Sequence, residues 1–216
     1  MHLKDYYSIL GTVPSATIPE IKKVYRRLAQ KYHPDKAHDD PIANAQFTEI
    51  KEAYEVLTNP AKKEYYLQQR WYNQHIGKRK TQDAVTPDSV LKLALELERY
   101  VSTLDVFRMD KQGLKEYILD LLPDSTVEKL HEFNETETNR EIISAILKTM
   151  HSLPKAYLQD IAVQLTKLTS EDKSAFRQIQ LFIQKMERKH RREKYSLIII
   201  IAATVVLCLV IWVAGR

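Results

Sequence analysis

Apolar residues in the first third of the chain recur at a helical spacing. Ile21, Val24, Tyr25, Leu28 and Tyr32 fall three and four residues apart, which places them on one face of an α-helix. The opposite face carries Lys22, Lys23, Arg26, Arg27 and Lys31. Thr17, followed three residues later by Glu20, reads as a capping box, and Pro19 falls in the first turn, where a missing N–H costs little. Pro34 biases His33 away from the α region and ends the helix. Asp35 can turn its carboxylate onto nearby backbone N–H groups and stiffen the turn. After a polar loop predicted over residues 34–43, Phe47, Ile50, Ala53, Tyr54 and Leu57 form a second apolar face. Two amphipathic helices with a short connection pack as an antiparallel hairpin. The predicted product is a basic helix that ends in a rigid, exposed His33-Pro34-Asp35 tripeptide.

Helical patterning continues on both sides of this hairpin. Residues 5–10 form a short first helix that Gly11 ends. Asn59-Pro60 marks a turn or N-cap, and Lys62, Lys63, Tyr65 and Tyr66 belong to a fourth helix that residues 68–76 can prolong. Residues 77–86 read as a polar linker. Pro87 then opens a helix with Val90, Leu91, Ala94, Leu97, Val101 and Leu104 on one face, and Leu114, Tyr117, Ile118 and Leu121 define the next. Ser125 with Glu128, Thr138 with Glu141, and Thr169 with Asp172 read as further helix starts, and Pro154 opens another. The links are short, which favours a compact helical bundle; the alternative is a set of separate amphipathic segments for partners. Only 4 glycines occur and no period-two stretch is evident, so the chain is predicted all-α. Its expected divisions are 1–70, a helical extension and linker over 71–86, a helical region over 87–190, and a final segment over 197–214.

That final segment differs from the rest. From Leu197 to Ala214 no residue is charged, and about eighteen such residues span roughly 27 Å as a helix, enough to cross a thin hydrocarbon core. Tyr195 and Trp212 lie near its ends, where interfacial aromatics belong. Arg188, Lys189, Arg191, Arg192 and Lys194 precede it. The positive-inside rule places that flank, and everything N-terminal to it, in the cytoplasm. The segment is therefore expected to be a single-pass C-terminal membrane anchor. The start of the chain, with no apolar core region after Met1, is not expected to be a signal peptide. The basic flank also attracts anionic lipid, at roughly 1 kcal/mol per residue near the surface.

Composition narrows the functional classes. The net charge of +5 is modest and sits in two local clusters, with no nucleic-acid reader motif and no aromatic-interleaved basic stripe. The single cysteine, Cys208, excludes an internal disulfide or a cysteine-based metal site. His2, His75, His131 and His151 lie at no metal-ligand spacing. His33 and Asp35 lack the accompanying nucleophile or second carboxylate that acid–base chemistry needs, and the proline between them points to rigidity. No cofactor, metal, nucleic acid or small-molecule ligand is expected, and the chain is not expected to be an enzyme.

Four linked blocks carry a family resemblance. Asp5-Tyr6-Tyr7-Ser8-Ile9-Leu10-Gly11, Tyr25-Arg26-Arg27-Leu28-Ala29, Lys31-Tyr32-His33-Pro34-Asp35-Lys36, and Phe47 with residues 50–57 resemble a J-domain of the DnaJ type over roughly residues 4–68. The resemblance implies a small four-helix domain whose basic helix and loop dock on a DnaK-type heat-shock chaperone and trigger its ATP hydrolysis. It assigns His33, Pro34 and Asp35 as the trigger. Lys22, Arg26 and Arg27 would meet an acidic surface and speed encounter, with Tyr25 and Phe47 adding apolar contacts. Asn59 stands where the family usually has an acidic residue, and Leu67 follows Tyr66 where another acid is usual. The Gly/Phe-rich tract, the zinc-binding cysteine pairs and the β-rich client-binding domains are missing. The expectation is a membrane-anchored co-chaperone of a minimal kind, whose middle region selects an unknown client or location. The alternatives are a membrane scaffold that uses the J-fold for assembly without stimulating ATPase, and a helical protein that binds polyanions through its basic faces.

Overall fold

The computed structural model describes residues 3–33, 40–80, 85–169 and 172–214. Among the described residues every regular element is helical. In chain order these are α1 (Tyr6–Leu10), α2 (Ile18–Lys31), α3 (Pro41–Thr58), α4 (Pro60–Lys80), α5 (Pro87–Ser102), α6 (Lys111–Leu121), α7 (Asp124–Phe133), α8 (Thr136–Thr149), α9 (Lys155–Thr169) and α10 (Lys173–Ala214), with a short 3-10 turn at Met150–Ser152. They divide into two compact units: residues 1–81 with 104–114, and residues 82–103 with 115–216.

In the first unit α2 packs along α3, while α1 lies on α3 and touches α2. Tyr7, Leu10, Ile21, Ile50, Ala53, Leu57 and Tyr66 form the buried core. The Glu20 carboxylate accepts from the Thr17 N–H at 2.7 Å, the half of the capping box that the spacing predicts, and also from the Thr17 hydroxyl at 2.7 Å. Asn59 caps α4 by accepting from the Lys62 N–H at 3.1 Å. The predicted loop ends earlier than expected, and its residues 34–39 lie outside the described residues. The Asp40 carboxylate accepts from the Ile42 N–H at 2.9 Å and Pro41 occupies the first helical position, so α3 begins inside the expected loop.

The predicted linker over 77–86 is also revised. Helix α4 runs on through Lys80, residues 81–84 lie outside the described residues, and Thr86 already caps α5. Residues 104–114, expected to belong wholly to the middle region, fold with the first unit instead. Gln68, only 1% exposed, joins them. Its side chain accepts from the Asp110 N–H at 2.6 Å and donates to the Arg108 carbonyl at 3.3 Å. Gln69 donates to the Asp110 carboxylate, which also accepts from the Gly113 N–H.

The second unit is a helical bundle. Val90, Ala94, Leu97 and Val101 of α5 are buried, as are Ile142, Ile143 and Ile146 of α8 and Met150 of the 3-10 turn that follows, and α5 packs along α8. Helices α9 and α10 pair with each other and with α8, burying Leu158, Ile161, Leu165, Ile179 and Met186. Three predicted starts move. Helix α7 begins at Asp124 behind Pro123, so Ser125 and Glu128 already lie within it. Thr138 donates to Glu135 inside an α8 that starts at Thr136. Thr169 ends α9, and Asp172 alone caps α10 by accepting from the Ser174 and Ala175 N–H groups. Helix α10 continues without a break through the apolar stretch to Ala214. Many side chains there are outside the described set, and among the described residues no helix is long and apolar enough to cross a membrane.

Candidate docking surface

The basic face of α2 is built by two rows of side chains. Ile18, Lys22, Arg26 and Gln30 fall four residues apart, and so do Pro19, Lys23 and Arg27; together they line one shallow surface groove. Residues four apart stack on the same helix face, so the four cations crowd together. Like charges at that spacing cost a few tenths of a kcal/mol per pair. Among the described residues none of Lys22, Lys23, Arg26 or Arg27 is ion-paired. Elsewhere in this unit several bases are paired, among them Lys4 with Glu52 at 2.8 Å, Arg70 with Asp5 at 2.7 Å, and Arg108 with Glu64 at 3.4 Å. Among the described residues no acid pairs with this face, and an acidic partner would relieve its repulsion.

His33 lies just past the end of α2, exposed, with its ring edge-on to Phe47 of α3 at 5.8 Å. Pro34 and Asp35 fall outside the described residues. Tyr25 is half-buried and stacks on Tyr54 at 4.0 Å with 15° between the rings. Its ring therefore ties α2 to α3 before it can touch anything else. Phe47 is likewise half-buried. The structure thus gathers Lys22, Arg26 and Arg27 on one groove and sets His33 against Phe47. Arg188, Lys189, Arg191 and Arg192 lie on α10 of the second unit, and the side chain of Lys194 is outside the described set. Ile18, Pro19 and Gln30 escaped the sequence reading as groove residues, although their four-residue spacing from the cations was available to find them.

A polar network ties the helices of this unit together. The Asp5 carboxylate accepts from the Tyr7 and Ser8 N–H groups at 3.1 and 3.2 Å and from Arg70, whose Nη1 also reaches the Tyr66 hydroxyl at 3.1 Å. Burial pushes the Asp5 carboxyl up, but Arg70 and the Ser8 N–H outweigh it and hold it below its ordinary value. Tyr6 donates to Glu52 at 2.6 Å. Burial, then that carboxylate, push the Tyr6 phenol up to about 12. Through these bonds α1 is held to α3 and α4, and α3 in turn supports α2.

Residues 5–66 match the DnaJ domain family. Over 65 residues the chain is 58% identical to a chaperone protein DnaJ of Carboxydothermus hydrogenoformans, a stretch covering 30% of this chain and 17% of that relative. A DnaJ-like protein of Synechocystis sp. is 53% identical over 74 residues, 34% of this chain and 22% of its own length. A chaperone protein DnaJ of Chlamydia pneumoniae is 56% identical over 62 residues, covering 29% and 16% of the two chains. The chain thus spans about a fifth of the length of these curated relatives. No solved structure matches the chain. What the comparisons establish is that the N-terminal part, residues 5–66, is a domain of the DnaJ type.

Proposed function

We propose that this chain is a membrane-anchored J-domain co-chaperone that recruits a DnaK-type heat-shock chaperone and stimulates its ATP hydrolysis through His33, Pro34 and Asp35. The observation that carries the reading is the four-cation groove of α2, unpaired among the described residues, leading directly to His33 within a stretch similar to the DnaJ domain. An acidic surface on the chaperone meets Lys22, Arg26 and Arg27, and the encounter is steered by charge. The His-Pro-Asp loop then biases the chaperone toward its hydrolysis-competent state. That step requires tighter binding to that state than to the resting one, because equal affinity for both shifts nothing. The groups that cleave ATP belong to the partner, so this chain is not itself an enzyme.

Residues 197–214 hold the protein in a bilayer with the J-domain on the cytoplasmic side, and the second unit selects the client or the location. The uncharged sequence and the exposed Val205, Val206 and Leu207 on α10 support the anchor. The test is single-turnover ATP hydrolysis by a DnaK-type chaperone, with the full chain in neutral detergent and an Asp35→Asn control. Stimulation should be at least about tenfold, the scale of 1.4 kcal/mol of differential binding, and should vanish in the control. A folded chain that leaves a matched partner's rate unchanged would point instead to a membrane scaffold.

A further inference from the structure

Helix α10 carries a second basic surface before its apolar stretch. Lys185, Arg188, Lys189 and Arg192 recur three and four residues apart, so they share an arc of roughly 100° on one helix face. All four are exposed. Among the described residues none is ion-paired, whereas neighbouring Glu187 is taken by Lys155 at 3.0 Å, with Arg191 acting on it from the next turn. The four cations line a concavity together with Leu181, Gln184, Met186 and His151. His151 comes from the turn after α8 and sets its ring edge against Phe182 at 5.0 Å. Partial burial, then Lys185 and Lys189, hold its imidazole below the ordinary value, so at neutral pH the ring is uncharged and offers a single N–H. Two elements of the bundle thus build the site, and the 188–194 run as a whole does not: Arg191 faces the other way, toward Glu187.

The height of the stripe selects its ligand. Helical rise puts Arg192 about 8 Å and Lys185 about 18 Å before Leu197. The headgroup layer on each side of a bilayer is only about 5–8 Å deep. A glycerol-linked phosphodiester or a serine carboxylate reaches Arg192 and stops there. Engaging Lys185, Lys189 and His151 as well takes an anion held above that layer, with enough charge for several donors. A dianionic phosphomonoester on a projecting headgroup meets both requirements, and arginine forks suit its oxygens.

We infer that His151, Lys185, Arg188, Lys189 and Arg192 form a binding site for a phosphomonoester group, presented by a phosphorylated lipid headgroup where α10 leaves the bilayer. The lipid source and the preference for a phosphomonoester over other anions rest on the membrane reading above; the cluster of cations around His151 does not. To separate the two, the full chain in neutral-detergent micelles is titrated with short-chain phosphatidylinositol phosphate, short-chain phosphatidylserine, inorganic pyrophosphate and a hexaglutamate peptide. The His151 ring is followed by NMR. The phosphorylated lipid and pyrophosphate should bind, shift the His151 resonances and raise its pKa. Phosphatidylserine and the peptide should bind far more weakly.

Lys185→Gln with Lys189→Gln should weaken binding about thirtyfold, at about fivefold for each basic residue near a surface. Lys155→Gln with Arg191→Gln removes the same charge off the stripe and should change affinity less than about threefold. Equal affinity for pyrophosphate and the lipid keeps the site and moves its ligand from the membrane to solution. Equal binding of phosphatidylserine, stronger binding of the peptide, equal weakening by the two double variants, or no phosphate binding by the folded chain would each overturn the proposal. Alkaline extraction of the full chain from membranes tests the anchor independently.

Discussion

Single residues decide how firmly α1 holds the α2–α3 hairpin together. Tyr6 donates to Glu52, and its phenol titrates near 12 instead of 10.0. A raised pKa gives stability that is fully present below the unfolded value and is lost as pH rises through the folded one. The window is therefore pH 10 to about 12. At neutral pH, Tyr6→Phe should cost about 1 kcal/mol, the worth of one hydrogen bond to a charged acceptor that is partly exposed. The gap between parent and variant should close across that window, because the parent loses its phenolic proton and the variant has none to lose. Urea unfolding read by Trp71 fluorescence in a Trp212→Phe background would show this; a gap that persists above pH 12 rules out Tyr6 as the group responsible. At the acid end the sign reverses. Asp5, held down by Arg70 against its own burial, and Glu52, held down by Lys4 and Tyr6, give stability above the ordinary carboxylate range that is lost as pH falls through their lowered values.

At the scale of elements, the clasp between α4 and residues 104–114 is the feature that periodicity could not show. Gln68 and Asp110 stand 42 residues apart, and a buried glutamine bonded to a loop backbone leaves no spacing signal. Replacing Gln68 with Leu should strand the Asp110 N–H and the Arg108 carbonyl, at about 2 kcal/mol. Amide exchange at Asp110 should quicken while exchange in the α2–α3 hairpin stays slow; unchanged protection at Asp110 would mean the clasp is not what holds this segment. Gly113 gives a second test. An alanine methyl there would meet the Asp110 carboxylate and the Gln69 Nε2, the latter at 2.7 Å. Gly113→Ala, normally a gain of about 1 kcal/mol in a helix, should give no gain in the same denaturation series. The elements themselves were far more legible. Regular spacing located the helices because burial follows one face, as Ile21 and Leu57 show. Their ends were less so, since a Ser/Thr followed by an acid is a common pattern that competes with stronger caps: Asp172 outbids Thr169, and Pro123 outbids Ser125. The basic groove was legible as charge, but only the structure shows that no described acid pairs with those cations.

For the whole molecule, the decisive question is what covers the end of α10. Val205, Val206 and Leu207 are consecutive and 53%, 59% and 62% exposed. Three successive helical residues point in three directions about 100° apart, so the apolar surface surrounds the helix and is not confined to one stripe. Ile201, Ile211 and Trp212 extend it in both directions, each above 60% exposed. A one-sided protein groove would leave most of that surface in water, whereas a bilayer covers it all round. The full chain should therefore stay with the membrane through an alkaline wash, and a chain ending at residue 196 should be released by it. Val206→Arg, which places a charge at mid-depth, should cost about 3 kcal/mol of insertion free energy and lower the retained fraction. Extraction of the unaltered chain by alkali would sink the anchor and make a helical partner the cover for this surface. The proposed role of the N-terminal domain would survive that result, because the groove on α2 and His33 belong to a separate unit; what would change is the proposed place at which a chaperone is recruited.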